Sequence, residues 1–132
     1  MVSEFSAAAR AVFKLAEQEC RNTNHYYLGT EHLLLAMAIA TPPDVAAYFE
    51  SAGIEPWQVK RALRVAMDAP YDRVWEGLIV TPRVKQVCAR AAAARHGERV
   101  EPIDLLRAIV ADGGGVAARV LDELRVAAEK PA

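Results

Sequence analysis

Apolar residues recur along this chain at three- and four-residue spacing, and proline, glycine and small polar residues interrupt them at short intervals. That is the period of helices packed on one face. Ser6 is placed to cap a helix running to about Arg21, with Val12, Leu15, Ala16 and Glu19 marking its faces. Asn22-Thr23-Asn24 ends it. Thr30 is positioned to cap a second helix, Glu31 to about Ala40, whose first turn carries Glu31, where the helix dipole favours a carboxylate. Thr41-Pro42-Pro43 stops that helix. Asp44 opens a third to about Ala52, closed by Gly53, and Pro56 starts a fourth, Trp57 to about Met67.

Asp68 to Leu78, holding Pro70 and Gly77, reads as a connector. Thr81-Pro82 is then a strong start signal, a capping hydroxyl followed by proline at the first helical position. Val84, Val87, Cys88, Ala91 and Ala94 follow at helical spacing until Gly97. Pro102 opens a helix to about Ala111, and Gly113-Gly114-Gly115 reads as a flexible link to a last helix, Val116 to about Ala128. No stretch alternates with a two-residue period, so no sheet is predicted.

Composition narrows this picture. At 132 residues and 53% hydrophobic, with 26 alanines and 7% aromatics, the chain fits one domain of closely packed helices with small side chains between them. Sixteen basic against seventeen acidic residues give a net charge of −1, against the basic excess of a nucleic-acid binder. A small helical nucleic-acid-binding regulator is therefore the disfavoured reading. The longest apolar run, Leu33 to Ala40, is eight residues, too short to span a bilayer, and Met1 to Phe5 carries no secretory signal pattern. Cys20 and Cys88 stand alone on apolar helical positions and read as buried thiols in a reducing, cytoplasmic compartment.

The layout repeats. Phe5 to Ala16 lies over Val80 to Ala91 at an offset of 75; after a three-residue deletion Leu33-Leu34, Ala36 and Ala46 lie over Leu105-Leu106, Ala108 and Ala118 at an offset of 72. Each half has a long capped helix, a Leu-Leu helix and a short Ala-rich helix. The predicted organisation is a single domain over 1–132: repeat one about 5–67, connector about 68–79, repeat two about 80–128, packed as a pseudo-twofold pair.

Phe5-Ser6-Ala7-Ala8-Ala9-Arg10 and His25-Tyr26-Tyr27-Leu28-Gly29-Thr30-Glu31-His32-Leu33-Leu34-Leu35 resemble the first repeat of the Clp N-terminal (Clp R) domain, in particular its ClpC type. Val80-Thr81-Pro82-Arg83 and Gly115 to Leu121 resemble the second. The resemblance covers nearly the whole chain. It implies an all-α fold of two repeats of about four helices each, and a non-catalytic module that receives adaptors and protein clients of an unfoldase ATPase in protein quality control. Cyclic-peptide antibiotics that target such domains are a further ligand class it implies. No Gly-x-x-x-x-Gly-Lys-Ser/Thr phosphate loop is present, so no ATPase is expected within this sequence. Three roles stand open: a freestanding adaptor or regulator, a decoy that sequesters ligands, or a fragment of a longer ATPase.

ClpC-type domains bind phosphorylated arginine with the hydroxyl residue that starts the first helix and the glutamate of the Gly-Thr-Glu-His string, which correspond to Ser6 and Glu31. A helix N-terminus with a hydroxyl suits phosphoryl oxygens, and a carboxylate suits a guanidinium. The second site would use Thr81 with position 103, but Ile103 cannot accept from a guanidinium, so that site is expected to be degraded. The other candidates have plainer readings. Cys20, His25 and His32 lack a zinc spacing, and the histidines are expected to hydrogen-bond around the helix start, with no metal or other cofactor. Ser3, Ser6 and Ser51 occupy no nucleophile elbow. Lys85, Arg90, Arg95 and Arg99 form a solvated face diluted by Glu98 and Glu101. Trp57 and Trp75 are expected to be buried against the repeats. Neither nucleic acid nor a membrane is an expected partner.

Overall fold

The computed structural model describes residues 4–67 and 77–129. Most of the predicted connector, with Trp75, lies outside them. The described residues form seven helices and two very short strands: α1 (Ala7–Asn22), β1 (Tyr27–Leu28), α2 (Thr30–Ala40), α3 (Pro43–Ala52), α4 (Pro56–Ala66), β2 (Ile79–Val80), α5 (Pro82–Arg95), α6 (Pro102–Asp112) and α7 (Gly115–Glu129). The fold is all-α.

The start signals act largely as their chemistry dictates. Ser6 accepts at Oγ from the Ala9 N–H (3.1 Å), and Thr81 accepts at Oγ1 from Val84 (3.2 Å), so equivalent positions of the two halves cap α1 and α5. Gly53 closes α3 in the left-handed conformation, φ 71°. At α2 the expectation is corrected: Gly29, not Thr30, is the cap residue, and Thr30 is the first helical residue. The cap is supplied from within the helix by His32, whose Nδ1 accepts from the Gly29 N–H at 3.0 Å. The glycine triplet is a defined turn between α6 and α7, with Gly113 (φ 73°) and Gly115 (φ 84°) both left-handed.

One further difference comes from the way the two halves pack. The expectation of no sheet is overturned by a parallel pairing of β1 with β2, Tyr27 opposite Ile79 and Leu28 opposite Val80, and by a single parallel bridge between Phe5 and Val100. Two-residue strands are too short to show alternation in sequence. They exist because the pseudo-twofold lays the segment before each hydroxyl-capped helix along the segment before the other half's Leu-Leu helix. The last helix runs over the span predicted for it, Val116 to about Ala128, with one residue more at each end. Where repeat one has Gly53 and Pro56 to separate α3 from α4, the equivalent residues Arg125 and Ala128 leave α7 unbroken for 15 residues.

The core follows the two Leu-Leu helices. From His32 to Ala38 every residue of α2 is buried, because α1, α4, α6 and α7 all pack on it. Leu105, Leu106 and Ile109 of α6 are buried in the same cluster, between α5, α3 and α7. Trp57 does not join them. It is 56% exposed on the first turn of α4, over the groove between α4 and α7, correcting the expectation of burial.

Candidate functional site

The turn between α1 and α2 is built on buried polar groups. His25 and His32 are fully buried, with His25 Nδ1 2.9 Å from His32 Nε2 and Thr23 Oγ1 3.0 Å from the same His25 nitrogen. Because His32 Nδ1 accepts from Gly29, its proton sits on Nε2 and points to His25 Nδ1. Burial, reinforced by His25, lowers the His32 pKa from its ordinary 6.5 to about 4. The imidazole is thus held neutral, in the state that can accept. The histidines serve the helix start, as expected from sequence. Cys20 Sγ donates to the Tyr27 carbonyl at 3.3 Å, and burial together with the Glu31 charge pushes its thiol up to about 12. Cys88, also buried, is pushed up to about 11.

Glu31 stands on the first turn of α2 and folds its carboxylate back over Gly29, in space that any Cβ at position 29 would occupy. Gly29 enters the sequence reading only as part of the Gly-Thr-Glu-His string; its φ of −99° demands no glycine, and what lies over it is the flexible end of the Glu31 side chain. Ser6 and Glu31, expected to share one corner, do not meet. Glu31 lies beside the C-terminal end of α1, next to Cys20, whereas Ser6 caps the other end of that 16-residue helix, about 24 Å away at 1.5 Å per residue.

The hydroxyls are exchanged between the halves. The Thr81 N–H donates to the Leu28 carbonyl (3.1 Å), which brings Thr81 and the start of α5 beside Gly29, Thr30 and Glu31. The Ser6 N–H donates to the Val100 carbonyl (2.9 Å), which brings Ser6 beside Glu101, Pro102 and Ile103. One corner thus combines a hydroxyl-capped helix start with a carboxylate, and the other combines one with an isoleucine. Asp104, the residue after Ile103, accepts from the Glu101 N–H at 2.8 Å and pairs with Arg95 at 3.4 Å. Arg95 also pairs with Glu98, and Arg99 donates to the Phe5 carbonyl, so two cations of the predicted basic face hold the structure together.

Beside the Glu31 corner, Arg83 lays its guanidinium against Gly114, reaches α7 at Gly115 and pairs with Asp112. The Thr30 hydroxyl lies 3.2 Å from where a Cβ on Gly115 would sit.

The class defined by this architecture is an all-α domain of paired helical repeats with a polar corner between them. The family model described as the Clp repeat (R) N-terminal domain matches residues 4–97, and the chain belongs to that family, a non-catalytic interaction module of Clp chaperones and Clp protease ATPase subunits. It is 28% identical to the chaperone protein ClpB of Oceanobacillus iheyensis and 27% identical to the negative regulator of genetic competence ClpC/MecB of Bacillus subtilis, covering 98% of this chain in each case. The chain spans 16% of the length of each of these relatives. The N-terminal domain of the ClpD chaperone from Arabidopsis thaliana has the same fold, with a TM-score of 0.70, 17% identity, and coverage of 97% of this chain and 96% of that one. Among the described residues no single helix is long and apolar enough to cross a membrane.

Proposed function

We propose that this domain is a receptor for protein clients or adaptors of a Clp ATPase, acting without catalysis in a reducing, cytoplasmic compartment. Its specific ligand is phosphorylated arginine, bound once per chain. The observation that carries this reading is the β1–β2 pairing, which sets Thr81 beside Glu31 and leaves Ser6 facing Ile103. Glu31 supplies a carboxylate for the guanidinium, and the Thr81 corner supplies a hydroxyl and helix amides for the phosphoryl group. The Ser6 corner has Ile103 where the other has Glu31, its nearby Asp44 carboxylate is taken up by the Val45 and Ile103 amides, and it is silent.

Calorimetric titration with a phosphoarginine peptide tests this. One site per chain is expected. Glu31→Ala weakens binding about tenfold or more, the equivalent of losing one hydrogen bond to a charged group. Two equal sites, or full affinity in Glu31→Ala, would overturn the assignment.

A further inference from the structure

Helix α4 carries apolar residues beyond those the core uses. Val59 and Leu63 are fully buried where α4 packs on α2. Trp57 and Val65 lie off that face, 56% and 82% exposed. With Ala62 they wall an open groove of about 620 Å³ whose other side is formed by Val120 and Leu124 of α7. Single exposed apolar side chains are ordinary, but a continuous apolar groove rimmed by charge marks an interaction surface.

The rim is charged on one side with a single sign. Between Pro56 and Ala66 the helix holds Lys60, Arg61 and Arg64 and no acid. Arg61 lines the groove, and at about 3.6 residues per turn Arg64 and Lys60 follow along its outer edge. Among the described residues none of the three forms an ion pair. The α7 wall is the opposite case. There Arg119 pairs with Glu123 at 4.0 Å, and Arg125 with Asp122 at 2.8 Å and Glu129 at 3.0 Å. In a chain of net charge −1, the α4 edge is thus left with cations that no described acid answers.

We propose that the α4–α7 groove is a docking surface for an amphipathic helix of a partner protein, with apolar residues on one face and acidic residues along the edge that meets α4. Charge complementarity selects the acidic partner: its carboxylates would answer Lys60, Arg61 and Arg64 while its apolar face covers Trp57 and Val65. Both walls are helices, whose backbone groups are bonded within themselves, so an extended peptide would find no strand edge to pair with. A helix brings its own backbone bonds satisfied and docks through side chains alone. From Trp57 to Val65 the wall runs about 12 Å at 1.5 Å per residue, room for about two turns of such a helix. The groove shares no residue with the Glu31–Thr81 corner, and its assignment stands whether or not that corner takes phosphoarginine.

The test is an NMR titration of the whole chain with two designed helical peptides that share one leucine face and differ only in carrying glutamate or lysine on the other. The glutamate peptide is expected to shift the Trp57 indole and the amides of Ala62, Val65 and Leu124 saturably, and added salt weakens it. The lysine peptide is expected to bind about tenfold or more weakly. Val65→Asp, at a position outside the core, weakens the glutamate peptide about tenfold or more while the thermal melt stays in place. Arg61→Glu combined with Arg64→Glu reverses the preference between the two peptides. Glu31→Ala leaves the glutamate peptide at full affinity. Equal affinity for both peptides, shifts confined to other residues, or binding that survives both Val65→Asp and the double reversal would overturn the proposal. So would loss of binding in Glu31→Ala, which places the peptide at the other corner. Shifts at Trp57 and Val65 that follow protein concentration alone would make the occupant a second copy of the chain and overturn it as well.

Discussion

His32 governs the geometry of the turn that presents Glu31. Its Nδ1 is the acceptor for the Gly29 N–H, and a protonated imidazole has no lone pair there. The folded pKa of about 4 lies below the ordinary 6.5, so between these values the unfolded chain binds more protons than the folded one. Stability from this group is fully present above pH 6.5 and is lost as pH falls towards 4, in total about 3 kcal/mol at 1.4 kcal/mol per unit. Urea melts at steps across that window should show the decline, and His32→Leu should flatten it. That variant also strands the Gly29 N–H and costs about 1–3 kcal/mol at neutral pH. A wild-type stability that stays level from pH 6.5 to 4 would contradict the neutral, accepting histidine. The roles of His25 and His32 around a helix start were legible in the sequence, since their spacing met no metal pattern. The tight seat of Glu31 over Gly29 was not, because it depends on one side-chain conformation.

At the scale of elements, the two hydroxyl caps separate stability from binding. Ser6 and Thr81 make the same bond to the third residue of their helices, so Ser6→Ala and Thr81→Ala should each cost about 1 kcal/mol in denaturant melts. Only Thr81→Ala should weaken the phosphoarginine peptide in titration, since only Thr81 stands beside Glu31. Weakening by Ser6→Ala alone would restore the pairing expected from sequence. Helix positions were readable because caps, prolines and the glycines at 53 and 113 act within one turn of chain. The matching of hydroxyl to acid was not, because the repeat sets Ser6 and Glu31 in the same half of the sequence while the pseudo-twofold joins each half to the other. Local signals carry no record of that crossing. The two-residue strands that enforce it, Tyr27–Leu28 and Ile79–Val80, are below the length at which a period can be seen.

The molecule as a whole is organised around α2 and α6, which pack against helices of both halves. The repeat and the all-α architecture were legible because Leu33-Leu34 and Leu105-Leu106 mark both central helices. The continuous α7 was legible too, since no glycine or proline stands where repeat one has Gly53 and Pro56. With α2 enclosed by α1, α4, α6 and α7, neither half can bury its Leu-Leu helix alone, and unfolding should be a single cooperative step. Leu34 and Leu106 are both fully buried, one in each half. Truncating either to alanine removes side-chain contacts and leaves a cavity, at a cost of about 2–5 kcal/mol. If the core is shared, Leu34→Ala and Leu106→Ala should each move the entire transition, with far-ultraviolet and near-ultraviolet dichroism changing together. Amide exchange should then report loss of protection in both α2 and α6 for either variant. A variant that melts its own half while the other keeps its midpoint would show two domains joined end to end, and would remove the frame on which the Glu31–Thr81 corner depends.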